Sequence, residues 1–129
     1  MGLTSEAEYI TKTVYVKHNR GDDVPDENMK AIQREILVSL WKIHILHHAA
    51  QGPVVGQRML RELRAHGYDV SPGTLYPILH RMERLGWLWS EADESGGQKA
   101  KRSFYATEAG KEVLSVVLGQ IRELKDEIE

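Results

Sequence analysis

The stretch Ser71-Pro72-Gly73-Thr74-Leu75-Tyr76-Pro77-Ile78-Leu79-His80-Arg81-Met82-Glu83-Arg84-Leu85 decides how this chain reads. At ~100° per residue, Leu75, Ile78, Leu79, Met82 and Leu85 fall on one face of a helix. Tyr76, Pro77, His80 and Arg84 fall on the opposite face, with Arg81 flanking them. One side is therefore expected to be buried and the other left open. Ser71 is a residue type that caps free N–H groups, and Pro72 suits the first helical position. Pro77 removes one intrahelical hydrogen bond, a cost that shrinks the nearer it stands to the helix start. Gly86 ends the segment.

Toward the N-terminus, a helix is expected from Val55 to His66. Met59, Leu60 and Leu63 point inward, Arg58, Arg61 and Arg64 point outward, and Gly67 stands where a left-handed C-cap belongs. Before it, Asn28–Ala50 is helical: Ile32, Ile36, Leu40 and Ile43 recur at steps of three and four, with Leu37, Trp41 and His44 beside them. So wide an apolar stripe predicts a helix buried on more than one side. Gly52-Pro53 stops it. Residues 1–27 lack a helical period and read as an arm, with a short strand at Tyr9–Lys17 and a turn at Asn19–Asp26.

Toward the C-terminus, Trp87–Ser90 and Arg102–Ala106 read as two strands around a polar tip containing Gly96-Gly97. Thr107 can cap a last helix over 108–129. Its Leu114, Val117, Ile121, Leu124 and Ile128 step by three, four, three, four, an a/d seam of about two heptads. Two heptads do not sustain a coiled coil alone, so the seam is expected to pack on a twin subunit, on the first helix, or on both. The order helix, helix, turn, helix, hairpin is that of a winged helix-turn-helix. The fold class expected is mainly α with a small β-hairpin: an arm at 1–27, a winged helix-turn-helix at 28–107 and a dimerisation helix at 108–129.

The chain has 129 residues and a net charge of −2, and its length suits one domain of ~100–150 residues. The charge is uneven. Residues 30–107 hold eleven basic and seven acidic side chains, whereas each flank carries a balance of −3. Basic character thus collects in the segment that resembles a nucleic-acid reader, a weak signal by itself. The absence of cysteine argues against disulfides and thiolate metal sites. No apolar run approaches the ~20 residues of a membrane span, and Met1–Lys12 has no apolar signal region, so no membrane partner and a cytoplasmic location are expected. Catalytic signatures such as G-x-S-x-G, a Walker loop or G-x-G-x-x-G are missing, and no enzyme is expected.

The open face of the Ser71–Leu85 helix supplies the groove candidates: Ser71, Thr74, Tyr76, Pro77, His80 and Arg81. Arginine takes bidentate bonds to guanine, and a tyrosine hydroxyl suits phosphate. Arg84, a turn later, is placed at phosphate. Lys99, Lys101 and Arg102 at the wing are read as phosphate clamps. His44, His47 and His48 invite a metal reading, since His44 and His48 stand one helical turn apart. No H-E-x-x-H accompanies them and carboxylates are scarce, so they are read as a buried or dimer-facing cluster, with no metal or other cofactor expected. Trp41 reads as core or as the wall of an effector pocket suited to a planar ligand.

At this point the sequence resembles a known family. Ser71-Pro72-Gly73-Thr74-Leu75-Tyr76-Pro77, then Leu79, Arg81, Met82, Glu83, Gly86 and Trp87, resemble the signature of PadR-type transcriptional regulators. Glu94-Ser95-Gly96-Gly97 followed by Arg102, Tyr105, Thr107, Glu108, Ala109 and Gly110 resemble that family's wing. The resemblance spans about residues 30–115 and implies a homodimeric winged-helix repressor that binds double-stranded DNA at a near-palindromic operator. It also implies, as for many members, release by a small-molecule effector, here a small aromatic one. Val55-Gly56-Gln57 departs from the His-Gly-Tyr often found there, and the single C-terminal helix matches the family's smaller members. The rival reading is a winged-helix module used for protein contact, which the acidic termini slightly favour.

Overall fold

A computed structural model describes residues 26–93 and 101–129 of the chain. The expected strand at Tyr9–Lys17, the Glu94–Gly97 motif and Lys99 lie outside the described residues. The first element is a rod: α1 (Asp26–Ile32), one π-helical turn (Gln33–Leu37) and α2 (Val38–Gln51). Its junctions at Ile32 and Leu37 keep right-handed helical dihedrals, so the axis continues through the turn. Asp26 and Glu27 are helical, which moves the expected boundary of the arm back by two residues. Then come β1 (Val54–Val55), α3 (Gly56–Ala65), α4 (Pro72–Arg84), β2 (Leu88–Ala92), β3 (Arg102–Ala106) and α5 (Glu108–Ile128).

The core lies where α2, α3, α4 and the sheet converge. Trp41, Ile45, Leu46 and Ala49 come from α2, and Met59, Leu60 and Leu63 from α3. Leu75, Ile78, Leu79 and Met82 come from α4, and Val54, Leu88 and Phe104 from the strands. An interior proline costs a helix ~3 kcal/mol, and burying each large apolar side chain returns ~1.5–3 kcal/mol. Four such side chains on α4 outweigh Pro77, and the helix runs through it to Arg84.

Two of the sequence-placed glycines end their helices as expected. Gly67 (φ 89°) and Gly86 (φ 84°) adopt the left-handed conformation that L side chains avoid. At each, the next N–H reaches back across the turn, Tyr68 to the Leu63 carbonyl at 3.1 Å and Trp87 to the Met82 carbonyl at 3.0 Å. These paired bonds aim α3 into α4 and α4 into the wing. Arg64 also closes the first turn by donating from Nε to the Val70 carbonyl at 3.0 Å.

The structure corrects four expectations. The hairpin of β2 and β3 forms as expected but is not the whole sheet: β1 adds a third, antiparallel strand in the order β1-β3-β2, with Val54 opposite Phe104. Two residues are too short to show a strand period, and only Phe104 across the sheet makes them one. Ser71 occupies the N-cap of α4, but its side chain caps no N–H. Its Oγ shares a 3.2 Å hydrogen bond with Thr74 Oγ1 instead. Leu85 follows the last turn of α4 and is exposed rather than buried. Finally, the stripe Ile32, Ile36, Leu40, Ile43 does not face the core. Ile32 and Ile36 are exposed, Leu40 and Ile43 are half-buried, and the core side of the rod lies nearly half a turn away.

α5 is fastened at its start and free beyond. Thr107 caps it, accepting from the Gly110 N–H at 3.0 Å and donating its own hydroxyl to the Gly86 carbonyl at 2.6 Å. Val113 and Leu114 pack against the core. Along the expected seam, Leu114 and Val117 are half-buried, whereas Ile121, Leu124 and Ile128 are 38%, 55% and 75% exposed. Leu118 and Ile121 of α5 face Leu40 and Ile43 of α2 across a groove of ≈ 320 Å³. The stripe on the rod and the free end of α5 thus leave apolar side chains outside the core of one chain.

Candidate nucleic-acid interface

The outer face of α4 is open. Ser71, Thr74, Tyr76, Pro77, His80, Arg81 and Arg84 are all exposed, while Leu75, Ile78, Leu79 and Met82 beneath them are buried. Hydrophobic burial fixes the helix and leaves its polar side free to meet another surface. The basic residues Arg81 and Arg84 stand in the last turn, where the negative end of the helix dipole favours them.

Tyr76 is held by a residue the sequence did not single out for that role. Its ring lies over Gly56 at the start of α3. A Cβ built on Gly56 would come within 2.5 Å of Tyr76 Cε1 and 2.8 Å of its hydroxyl oxygen. Only a glycine lets the ring settle there. Gly56→Ala should give a folded protein in which the Tyr76 ring is displaced from this seat. The clash is with the far end of a side chain that is 36% exposed, and alanine improves α3 by ~1 kcal/mol. Denaturation should therefore show stability within ~1 kcal/mol of the parent. Operator affinity should fall by about tenfold or more, as expected for losing a contact worth ~1–3 kcal/mol. Unchanged operator affinity in a gel-shift titration would show that the seat of Tyr76 is immaterial.

A chain of polar contacts joins α4 to the wing. Ser90 on β2 donates its hydroxyl to Glu83 Oε2 at 2.6 Å, and Arg102 on β3 donates from Nη1 to Ser90 Oγ at 3.0 Å. His80 Nδ1 stands 3.9 Å from Glu83 Oε1, and its ring meets Phe104 edge-on with centroids 5.9 Å apart. The structure therefore brings His80 and Arg102, twenty-two residues apart in sequence, to one border between helix and wing. Glu83 and Ser90 are the members that sequence reasoning missed, because only the register of β2 against β3 puts them there. Lys101 is exposed at the start of the β3 arm, where its carbonyl accepts from the Asp93 N–H at 2.9 Å. On the outer sheet face, Trp89 and Tyr105 stack with centroids 4.4 Å apart and planes at 14°.

Two further features border this module. Trp41 is buried, and among the described residues no acceptor reaches its indole N–H. It shares the wall of a cavity of ≈ 340 Å³ with Lys30, Arg34, Val38, Asp69 and Thr74. Thr74 belongs to the open face of α4, so the cavity touches the reading helix. About one turn further along α2, His44 is half-buried, and its Nε2 stands 3.5 Å from the hydroxyl of Tyr68, whose ring Trp41 also meets. Burial first, and then the neighbouring His66, His48 and His47, hold the His44 imidazole below its usual pKa, against the pull of Glu62.

Comparisons with known proteins agree with this geometry. A family model described as "Transcriptional regulator PadR-like family" matches residues 45–116. The transcriptional regulator Rv3488 of Mycobacterium tuberculosis is 45% identical over 95 residues, which is 74% of this chain and 88% of the relative. A crystal structure of a PadR family transcriptional regulator from Eggerthella lenta is similar with a TM-score of 0.67 and 29% identity, covering 80% of this chain and 90% of that one. Bacillus subtilis PadR, solved in complex with operator DNA, shares the fold at a TM-score of 0.55 and 20% identity, over 61% of this chain and 45% of that one. No helix among the described residues is long and apolar enough to cross a membrane.

Proposed function

Because the chain belongs to the PadR-like family of transcriptional regulators, which are not enzymes, we propose that it is a repressor that binds double-stranded DNA as a homodimer. Two copies of α4 enter successive major grooves, ~34–36 Å apart, on a near-palindromic operator. A major groove ~12 Å wide admits one helix, and the outer face of α4 is the only part that needs to enter it. Arg81, His80 and Tyr76 meet base edges or phosphates, with Ser71, Thr74 and Pro77 at the leading turn. Arg84 meets phosphate. Lys99, Lys101 and Arg102 hold the backbone beside the groove. The seam of Leu114, Val117, Ile121, Leu124 and Ile128, with the exposed stripe on the rod, joins the two copies. The structurally similar Bacillus subtilis PadR is solved in complex with operator DNA, which supports DNA as the partner.

The observation that carries this reading is the two-sidedness of α4: each polar residue assigned to the groove is exposed, above a face whose apolar residues close the core. The test is selection from random-sequence duplexes with the purified protein, followed by titration of the enriched site. A shared, nearly palindromic sequence is expected, and none should emerge from a protein-contact module. Log affinity should fall linearly with log salt, with a slope of about −0.9 per phosphate neutralised. Arg81→Ala should relax preference at one position at ~1–3 kcal/mol, whereas Lys101→Ala should weaken all duplexes alike and lower the salt slope by about one. Two variants indistinguishable from the parent in gel shift would remove these assignments.

The cavity beside Trp41 is the place for an effector. The indole N–H of Trp41 is a buried donor with no acceptor among the described residues, a state that normally has an explanation. A small planar aromatic molecule with an acceptor group would meet that donor or the cations of Lys30 and Arg34 while resting on Val38. Because Thr74 shares the wall, occupancy would press on the first turn of α4 and release DNA.

A further inference from the structure

We infer that His44, His48 and His66 form a binding site for a late first-row divalent metal ion, Zn²⁺ or a close relative such as Co²⁺ or Ni²⁺. The sequence shows only half of it. His44 and His48 lie one turn apart on α2, so their imidazoles share a face. His66 is the C-cap of α3, and the packing of α2 on α3 brings its ring to 4.4 Å from that of His44, centroid to centroid. One nitrogen from each of the three rings lies within 4.8 Å of the other two. In a tetrahedral site with metal–nitrogen bonds of ~2.0–2.1 Å, neighbouring nitrogens stand roughly 3.3 Å apart. The rings must therefore close by an ångström or so. That is a rotamer adjustment, because His44 and His48 are half-buried and His66 is exposed.

The backbone beneath the cluster is set independently. Ile45 and Leu46 on α2 and Met59 and Leu63 on α3 are buried together in the core, so the spacing of the two helices does not depend on the ion. The left-handed turn at Gly67 ends α3 at His66 and fixes the direction from which the third ring approaches. Imidazole ligands suit zinc, nickel and copper, and a three-histidine set leaves a fourth position for water or for one carboxylate. Glu62, one turn before His66 on α3, lies outside the three-histidine group, so the fourth position falls to water. His47 is exposed and outside the group, although it neighbours His48. An ion held here would clasp α2 to the end of α3.

The full chain, stripped with chelator and studied without DNA, tests this independently of the repressor reading. Co²⁺ titration should give the visible absorption of a low-coordinate nitrogen site, saturating at one ion per chain, and Zn²⁺ should displace it and raise the Tm. His48→Ala and His66→Ala each remove a ligand from a half-buried or exposed position, so circular dichroism should remain that of the parent. Each should weaken Co²⁺ binding by at least the ~10–100-fold lost when only a supporting contact is removed. His47→Ala should bind as the parent does. No saturable Co²⁺ spectrum, or an equal loss in His47→Ala that marks the exposed histidine pair as the binder, would overturn the assignment.

Discussion

In the homodimer proposed above, Ile121→Glu combined with Leu124→Glu should convert the protein to a monomer and lower operator affinity by about 10²–10⁴-fold. Both side chains are substantially exposed on one chain, so the charges enter no existing core and the monomer should stay folded. In a two-fold dimer each substitution appears twice, so four carboxylates would face a seam built from leucine, isoleucine and valine. Burying each apolar side chain is worth ~1.5–3 kcal/mol, and an unpaired buried charge reverses that gain outright. The affinity loss follows from tethering: one bound half of the dimer holds the other at millimolar effective concentration beside its half-site. Light scattering reads the mass and a gel shift reads the affinity. Dimers that persist at parental strength would move the interface elsewhere, toward Ile32 and Ile36 on the rod or Trp89 and Tyr105 on the sheet.

Gly110→Ala should be the most damaging conservative substitution in the chain. The Cβ added there would fall on the Trp87 carbonyl, far inside van der Waals contact. That carbonyl is not free to move, for it accepts the Thr107 N–H at 3.0 Å, and the Trp87 N–H is bound to Met82 at 3.0 Å. The first turn of α5 must lift away, straining or breaking the 3.0 Å bond from the Gly110 N–H to Thr107 Oγ1. Overpacking costs ~1–3 kcal/mol or more and a lost cap ~0.5–2 kcal/mol, against ~1 kcal/mol gained from helix propensity. The net loss is about 0.5–4 kcal/mol, which urea denaturation measures directly. Stability within ~0.5 kcal/mol of the parent would mean that the junction between wing and α5 is looser than its bonds indicate. Gly56→Ala is the instructive contrast, since the same added methyl meets only the end of the Tyr76 ring. Rigidity of the neighbour, more than closeness, separates a stability effect from a recognition effect.

Much of α4 was legible in advance. α4 spans the segment that the sequence marked, and the six residues placed on its open side, with Ser71 at its cap, are exposed. Amphipathic period, a proline at the first position and glycine stops are local properties, and local properties survive into the fold. The apolar stripe on the first helix was harder. Ile32, Ile36, Leu40 and Ile43 have a helical period, but periodicity does not tell a core face from one turned to α5 or a second copy. Ser90 carried no signal, and Glu83 and Gly56 entered only through the family resemblance, because the contacts of all three are made between different elements.

The sequence by itself determined the order of the elements, the ends of α3 and α4, the polarity of α4 and membership of a regulator family. These follow from backbone dihedral preferences and from the 3.6-residue period, which need only near neighbours. Tertiary structure alone decided that Val54-Val55 is a strand, that His66 meets His44 and His48, that Arg102 is linked through Ser90 to Glu83, and that Tyr76 rests on Gly56. Each of these is a contact between segments whose approach is set by burial of the shared core. Burial rewards the total apolar area removed from water and is indifferent to where in the chain it lies.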